Sequence, residues 1–75
     1  MPQVDYKKLI EVDAEVRFGK PVIKGTRITV YDVLQLLAQG VTHEEIIKDF
    51  PQLNEEQILA CLAYAANKKR IIKVA

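Results

Sequence analysis

Three helix-capping sequences between residues 29 and 57 constrain the fold of this 75-residue chain more than any other feature. In a capping box, a Thr, Ser or Asn side chain accepts a hydrogen bond from the backbone three residues later, and that residue's polar side chain reaches back. The three boxes are Thr29 with Asp32, Thr42 with Glu45 and Asn54 with Gln57. The sequence therefore predicts three helices that begin close to residues 30, 43 and 55.

The ends of these helices are also marked in the sequence. Apolar residues at helical spacing run from Val30 to Ala38, and Gly40 is typical of the residue just past a helix C-terminus. The second helix stops before Pro51, and we expect the third to run to about Lys69. A short helix, a three-residue turn and a longer helix have the proportions of a helix-turn-helix.

Residues 9–28 have the composition of short strands. Val16 and Phe18 alternate with Arg17 at the period of a strand, and β-branched residues are frequent on both sides. The pairs at residues 22–23 and 27–28 flank a Lys-Gly-Thr sequence, which predicts a hairpin turn with Gly25 at positive φ. The predicted fold class is mostly α with a short N-terminal β-arm or hairpin and a three-helix, homeodomain-like helix-turn-helix.

The length allows one domain, which we divide into a β-arm (1–28), a three-helix unit (29–69) and a tail (70–75). A domain of this size buries only about 60% of its unfolded surface and usually needs further support. A single cysteine, Cys61, excludes a disulfide within the chain, and a single histidine, His43, argues against a metal site. We expect no cofactor, and we expect support from a second copy or another partner.

The third helix is apolar on both sides, which favours contact with a partner. We expect one side to form the core through Ile58, Leu59, Leu62, Ala63 and Ala66. The other side, predicted to contact a second copy or a partner, carries Ala60, Cys61, Tyr64 and Ala65. The alternative is that the alanines only favour helix formation. In the tail, Ile71 and Ile72 are candidates for a strand added to a partner, or the terminus is frayed.

The net charge of +1 is too balanced to indicate nucleic-acid binding by itself. The residues with chemistry suited to DNA are Lys20, Lys24, Arg27, Lys48, Asn54 and Gln57. Asn and Gln suit base edges when they lie in the first turn of a recognition helix. However, Glu55 and Glu56 lie between them and repel phosphate. For the basic residues of the arm, an ordinary solvated hairpin is an equally good interpretation.

No residues form a pattern typical of catalysis, so we expect a non-enzymatic protein. The aspartates are scattered, the glutamates occupy capping positions, and Cys61 has no cationic neighbour in sequence. No apolar run approaches the ~20 residues of a membrane span, and we see no targeting peptide. With a free cysteine, these features favour the cytoplasm and a protein without membrane contact.

Residues 19–30 resemble the signature of a bacterial and archaeal family, the domain of unknown function 433, through the string GKPVIKGTRITV. Residues 34–40, 44–47, 50–53 and 58–66 also match in order and spacing, so the resemblance covers about residues 9–66. The Gly-Thr-Arg turn is its strongest feature. There we expect Arg27 either to bind an acidic group, a phosphate or a carboxylate such as Asp32, or to fix the hairpin onto the helices.

The resemblance implies a homeodomain-like helix-turn-helix with a β-arm, often dimeric, and an antitoxin similar to VapB-type proteins. The expected function is that of an antitoxin in a type II toxin–antitoxin pair, which binds a PIN-like ribonuclease toxin and its own promoter DNA. Two alternatives remain open: a stand-alone DNA-binding transcriptional regulator, and a structural dimeric adaptor that does not bind double-stranded DNA.

Overall fold

The computed structural model describes residues 5–67, which form three α-helices and a two-stranded antiparallel sheet. The strands are β1 (Ile10–Val12) and β2 (Pro21–Ile23), and the helices are α1 (Val30–Ala38), α2 (His43–Asp49) and α3 (Glu55–Ala66). Single 3₁₀ turns at Tyr6–Lys8 and Arg17–Gly19 precede the two strands. The fold is mostly α with an N-terminal β-hairpin, as predicted. Ile71 and Ile72, which the sequence predicts to contact a partner, lie outside the described residues.

All three capping boxes are present, and they explain where the helices begin. At α1, the Asp32 N–H donates to Thr29 Oγ1 over 2.9 Å, and the Thr29 N–H donates to Asp32 Oδ2 over 3.1 Å. Gly40 follows the C-cap of α1 with a φ of 89° and donates its N–H to Leu37 O over 3.0 Å. The predicted helix starts and this helix end are therefore confirmed.

The core lies where the three helices meet the sheet. Leu53, in the turn between α2 and α3, fills the corner of the helix-turn-helix and is buried. The largest fully buried apolar side chains come from the sheet and all three helices: Val22, Ile23, Val30, Val33, Ile46 and Ile58. A core this small leaves little reserve of stability, and each of these side chains matters to folding.

The predicted strand at residues 16–18 is wrong. Arg17 and Phe18 have φ values of 50° and 59°, in the left-handed region, and Arg17–Gly19 forms a single 3₁₀ turn. Strand residues have φ close to about −120°. The alternation in sequence was misleading because Phe18 faces solvent rather than the core.

The pairing of the sheet also differs from the predicted hairpin. β2 pairs with β1, with Ile10 opposite Ile23, and residues 27–28 do not form a strand. On the other side of the turn, the Ile23 N–H donates to Ile28 O over 2.9 Å, and an isolated bridge joins Val22 to Thr29. The chain between them makes a tight turn that leads directly into α1.

Candidate functional site

The turn after β2 is closed by the residues that the sequence singled out. Gly25 has a φ of 81°, as predicted. Thr26 Oγ1 donates to Ile23 O over 2.8 Å and accepts from the Ile28 N–H over 3.0 Å. This turn therefore sets the direction in which the chain enters α1, and it fixes where the neighbouring basic residues lie.

Arg17, rather than Arg27, fastens this part of the arm to the helices. Arg17 Nη1 donates to the Arg27 carbonyl oxygen over 2.9 Å and lies 3.5 Å from Asp32 Oδ2. The sequence analysis named Asp32 as one possible partner of Arg27. In the structure, Arg17 makes the contact with Asp32 instead. Arg27 contributes its backbone carbonyl and leaves its guanidinium exposed.

The three basic residues of the arm that the sequence singled out are available to a ligand. Lys20, Lys24 and Arg27 are all exposed. Between residues 5 and 67, none of these three side chains takes part in an ion pair or a hydrogen bond. Unpaired exposed cations can meet carboxylates or phosphates of a partner without first breaking internal contacts.

Phe18 is the functional candidate that the sequence pattern missed. Its side chain is 95% exposed, although its backbone has a φ of 59° and a ψ of 34°. A left-handed conformation costs a non-glycine residue about 1–2 kcal/mol, and such strain is concentrated at functional sites. Val12, on β1 of the same hairpin, is 63% exposed. We name Val12, Phe18, Lys20, Lys24 and Arg27 together the arm surface.

The sequence feature that could have identified Phe18 as exposed is the composition of the turn that follows it. Gly19 follows Phe18 directly and Pro21 comes two residues after Gly19, and neither favours a continuing strand. A large apolar side chain beside such a break has little chance of being covered by a neighbouring strand. The left-handed backbone of Arg17 has no comparable signal, because its contacts are made with residues distant in sequence.

The first turn of α3 presents an acidic surface. Asn54 Oδ1 accepts from the Gln57 N–H over 2.9 Å, and Gln57 Oε1 accepts from the Asn54 N–H over 2.8 Å. These amide oxygens are thus engaged in capping rather than free for base edges. Glu55 and Glu56 are exposed, and Glu55 Oε2 lies 2.7 Å from His43 Nδ1 of α2.

Lys48 belongs to α2 and not to the arm. It is exposed on α2, where it lines a shallow groove with Val41, Glu45 and Asp49. The structure thus does not collect the predicted DNA-binding residues on one face: Lys48 stands among carboxylates, and Asn54 and Gln57 form a helix cap.

The buried face of α3 is rotated from the predicted one, although Ile58 belongs to the core as predicted. Ala60 and Cys61 are fully buried, whereas Leu59 and Leu62 are each 38% exposed. The prediction that Ala60 and Cys61 contact a partner is wrong, because both belong to the core of this chain. The sequence misled because α3 has apolar residues on both sides, so periodicity alone does not identify the buried side.

Tyr64 and Ala65, also predicted to contact a partner, have different environments. Tyr64 is half-buried and packs edge-on against Tyr6, with ring centroids 5.7 Å apart and planes at 89°. The chain's own N-terminal turn therefore covers part of Tyr64. Ala65 is exposed.

The described residues contain no assembled centre for a metal ion. Between residues 5 and 67, no three His, Cys, Asp or Glu side chains are grouped as metal ligands. Burial raises the pKa of Cys61 to about 12, so its thiol stays protonated and is a poor nucleophile. In the same part of the chain, none of the helices has the length and apolar content needed to cross a membrane.

Three comparisons relate this chain to known proteins. It is similar to a DUF433 member protein from Anabaena variabilis, whose crystal structure superposes with a TM-score of 0.73 at 28% identity, over 79% of this chain and 59% of that one. It is 32% identical over 59 residues to the uncharacterized protein y4eO of Sinorhizobium fredii, a match that covers 79% of this chain but only 27% of that protein. This chain thus spans about a quarter of the length of y4eO. A family model described as protein of unknown function (DUF433) matches residues 10–65, and the chain therefore belongs to the DUF433 family.

Proposed function

We propose that this protein is a non-enzymatic, cytoplasmic protein-binding module that acts as an antitoxin and neutralises a PIN-like ribonuclease with an acidic active site. The observation that carries the proposal is the arm surface, where Phe18 is 95% exposed on a strained turn. Aromatic and Arg side chains dominate binding energy at protein interfaces. The unpaired cations of the same arm complement a ribonuclease whose catalytic residues are carboxylates.

The strained turn supports binding because it orders the aromatic ring in advance. The Arg17 guanidinium, bonded to Arg27 O, holds the backbone directly before Phe18. A partner then does not have to supply the free energy of ordering that segment when it binds. We expect a solvent-exposed Phe in a strained backbone to contribute little to the stability of the free protein, which favours a role in recognition.

The acidic first turn of α3 favours a protein partner over groove reading of DNA. Glu55 and Glu56 stand where a helix-turn-helix protein places residues that contact base edges. Their carboxylates repel the DNA phosphates. Contacts with those phosphates supply most of a protein's affinity for DNA. The arm surface is therefore the better candidate for the main binding site.

The decisive experiment measures the affinity of the purified protein for a PIN-like ribonuclease encoded beside it. Phe18→Asn removes the ring, and asparagine tolerates the left-handed backbone. We expect the variant to fold normally but to bind at least about 30-fold more weakly, as for other interface hot spots. Gln35→Ala, at an exposed position on α1, is the matched control and should bind like the wild type.

A growth assay provides the functional measurement. Co-expression of the wild-type chain should restore growth of cells that express the ribonuclease, and the Phe18→Asn variant should restore it poorly. Wild-type affinity in the Phe18→Asn variant, or the absence of any complex and of any growth rescue, would contradict the proposal.

DNA binding by the arm is a second candidate function, favoured by the exposed and unpaired cations Lys20, Lys24 and Arg27. Such contacts would let the protein bind its own promoter through phosphates, as N-terminal arms of other DNA-binding domains do. Replacing Lys20, Lys24 and Arg27 by Gln should then lower the slope of log affinity against log salt by about 2–3. A mobility-shift assay in which the wild type shows no salt dependence would exclude this mode.

A further inference from the structure

β1 is the open edge of the sheet, because β2 is paired along both of its sides. On one side, the Lys24 N–H donates to Leu9 O over 2.8 Å, and β1 continues this ladder. On the other side, the Ile23 N–H donates to Ile28 O over 2.9 Å. Among the described residues the sheet has only these two strands, so a further strand can be added only along the free side of β1.

The ladder shows which main-chain groups of β1 face outwards. Hydrogen-bonded and non-hydrogen-bonded residue pairs alternate along two antiparallel strands. Leu9 accepts a hydrogen bond from the residue opposite it, so by alternation Glu11 is bonded to β2, whereas Ile10 and Val12 are not. The N–H and C=O groups of Ile10 and Val12 therefore point away from β2, and they have no hydrogen-bond partner between residues 5 and 67.

This edge lacks the features that usually protect a free strand. Proteins often block such an edge with a proline, a lysine or a bulge, because unpaired main-chain groups attract further strands. β1 has the sequence Ile-Glu-Val and a continuous register with β2, so none of these features occurs in it. Ile10 is only 7% exposed, so its unpaired groups have little access to water, which is costly. The edge therefore favours a segment that supplies the missing hydrogen bonds.

The charges beside β1 indicate which kind of segment fits. Lys8 precedes Leu9, and the Lys24 N–H donates to Leu9 O, so both lysines lie beside the beginning of the strand. Both lysine side chains are exposed, and within residues 5–67 neither takes part in an ion pair. Towards the other end, Glu11 and Asp13 are exposed. A segment that is acidic beside the lysines and uncharged beside the carboxylates complements both ends.

We infer that the outer edge of β1 binds an extended segment of a partner protein by main-chain pairing, and that the C-terminal part of this segment is acidic. Antiparallel pairing is the more stable arrangement, and it places that end of the segment beside Lys8 and Lys24. The segment exchanges hydrogen bonds with Ile10 and Val12 and packs an apolar side chain on Val12, which is 63% exposed. The edge recognises main chain and charge, so this inference does not depend on the ribonuclease proposed above.

A synthetic peptide with blocked termini, Thr-Val-Thr-Val-Asp-Asp, is the probe that tests the proposal. Thr and Val favour extended backbone, and the aspartates are placed to meet the lysines. The peptide is titrated into the isotopically labelled full chain and followed by NMR. We expect a dissociation constant of about 1 mM, as for a few exposed hydrogen bonds, with the largest amide shifts at Ile10 and Val12. Shifts centred on another element, or no shifts at all, would overturn the proposal.

Val12→Pro tests the main-chain contact directly. It removes an N–H that points away from β2, and proline is tolerated on an edge strand in that orientation. Peptide affinity should fall about fivefold, whereas the control Val12→Thr keeps the N–H and should bind like the wild type. Circular dichroism checks that both variants fold. A folded Val12→Pro protein with wild-type affinity would rule out pairing at this edge.

Replacing Lys8 and Lys24 by Gln tests the charge preference without touching the strand. The double variant should bind the acidic peptide about threefold more weakly at low salt. A second peptide with Asn in place of both Asp residues should bind the variant and the wild type equally. Equal weakening with the two peptides would contradict the preference for an acidic segment.

Hydrogen exchange in the free protein distinguishes other occupants of the edge. The Val12 amide should exchange quickly and the Glu11 amide, bonded to Val22, slowly. Protection of the Val12 amide at every protein concentration would mean that the chain covers its own edge, and protection that grows with concentration would mean that a second copy does; either result overturns the proposal. Phe18→Asn should leave peptide binding unchanged, so that failure of the ribonuclease proposal and failure of the edge proposal are distinguishable.

Discussion

The β-arm and the three-helix unit are held in shape by different kinds of interaction. Each helix begins with a reciprocal capping box and buries at least one side chain completely. The arm has strands of three residues, two non-glycine residues at positive φ, and Phe18 almost entirely in solvent. The helices and β2 therefore supply the buried core, whereas the turn at residues 17–19 uses part of that stability to hold exposed groups in a fixed conformation.

Charge divides the molecule in the same way. Between residues 29 and 66 the chain has six acidic residues and one basic residue, Lys48. Between residues 5 and 28 it has six basic and four acidic residues. The helical unit therefore repels the phosphates and carboxylates that the arm attracts, so a negatively charged ligand is directed towards the arm.

The largest expected effect is on the free energy of unfolding, and it comes from removing one large apolar side chain from each region. Ile46→Ala empties a fully buried position in α2 and should lower the free energy of unfolding by about 2–5 kcal/mol. Phe18→Ala deletes more carbon atoms but leaves no cavity, and should change the free energy of unfolding by less than about 1 kcal/mol. Urea denaturation followed by circular dichroism measures both. Equal losses would mean that Phe18 supports the fold.

The second prediction concerns pH and the buried thiol of the helical unit. Burial raises the pKa of Cys61 to about 12 from its ordinary value of 9.0. Above pH 9 the unfolded chain loses this proton while the folded chain keeps it, so folding stability falls as pH rises from 9 to 12. The loss from this group is at most about 1.4 kcal/mol per pH unit.

The Cys61→Ala variant isolates this contribution from the lysines and tyrosines that titrate in the same range. The difference in unfolding free energy between wild type and variant, measured at pH 8, 10 and 11, should shift against the wild type only above pH 9. A constant difference would show that the thiol is accessible to water in the folded state.

The structure also shows why some features were predictable from sequence and others were not. The helix starts could be predicted because a capping box involves residues only three positions apart. The turn at Gly25 could be predicted for the same reason, since positive φ favours glycine locally. Local chemistry therefore fixed the element boundaries of the helical unit and one turn of the arm.

The features that sequence reasoning missed depend on contacts between distant residues. Arg17 is ten residues from Arg27 and fifteen from Asp32, and no local pattern links them. The buried face of α3 is selected by packing on other elements, because Leu59 and Cys61 are both plausible core residues. The exposure of Phe18, Leu59 and Leu62 was missed for this reason, because a periodic pattern assigns large apolar residues to a buried face.

A third prediction compares two glycines that both adopt a positive φ, one in each region. Gly25 in the arm and Gly40 after α1 have φ values of 81° and 89°, and a Cβ at either position meets no atom within 4 Å. Substitution by Ala should therefore cost backbone strain alone, about 1 kcal/mol at each site. Equilibrium unfolding in urea measures both variants. An unchanged Gly25→Ala protein would mean that the arm turn can relax, unlike the helix end.

The smallest effect on global stability, but the most informative for the arm, comes from Arg17→Met. This change keeps most of the aliphatic stem but removes the hydrogen bond to Arg27 O and the ion pair with Asp32. Both contacts are exposed, so we expect a loss of only about 0.5–1 kcal/mol, partly screened by salt. Arg27→Met is the matched control for stability and for hydrogen exchange, because Arg27 takes part in these contacts through its carbonyl.

The arm turn should nevertheless respond strongly to Arg17→Met. The Gly19 and Lys20 amides donate to Val16 O and Arg17 O within this turn, and their hydrogen exchange reports its opening. We expect faster exchange at both amides in Arg17→Met, unchanged exchange in Arg27→Met, and weaker ribonuclease binding in the first variant because Phe18 is no longer held in advance. Identical exchange in the two variants would show that the left-handed turn persists without the helices, and the arm would then hold Phe18 in place by itself.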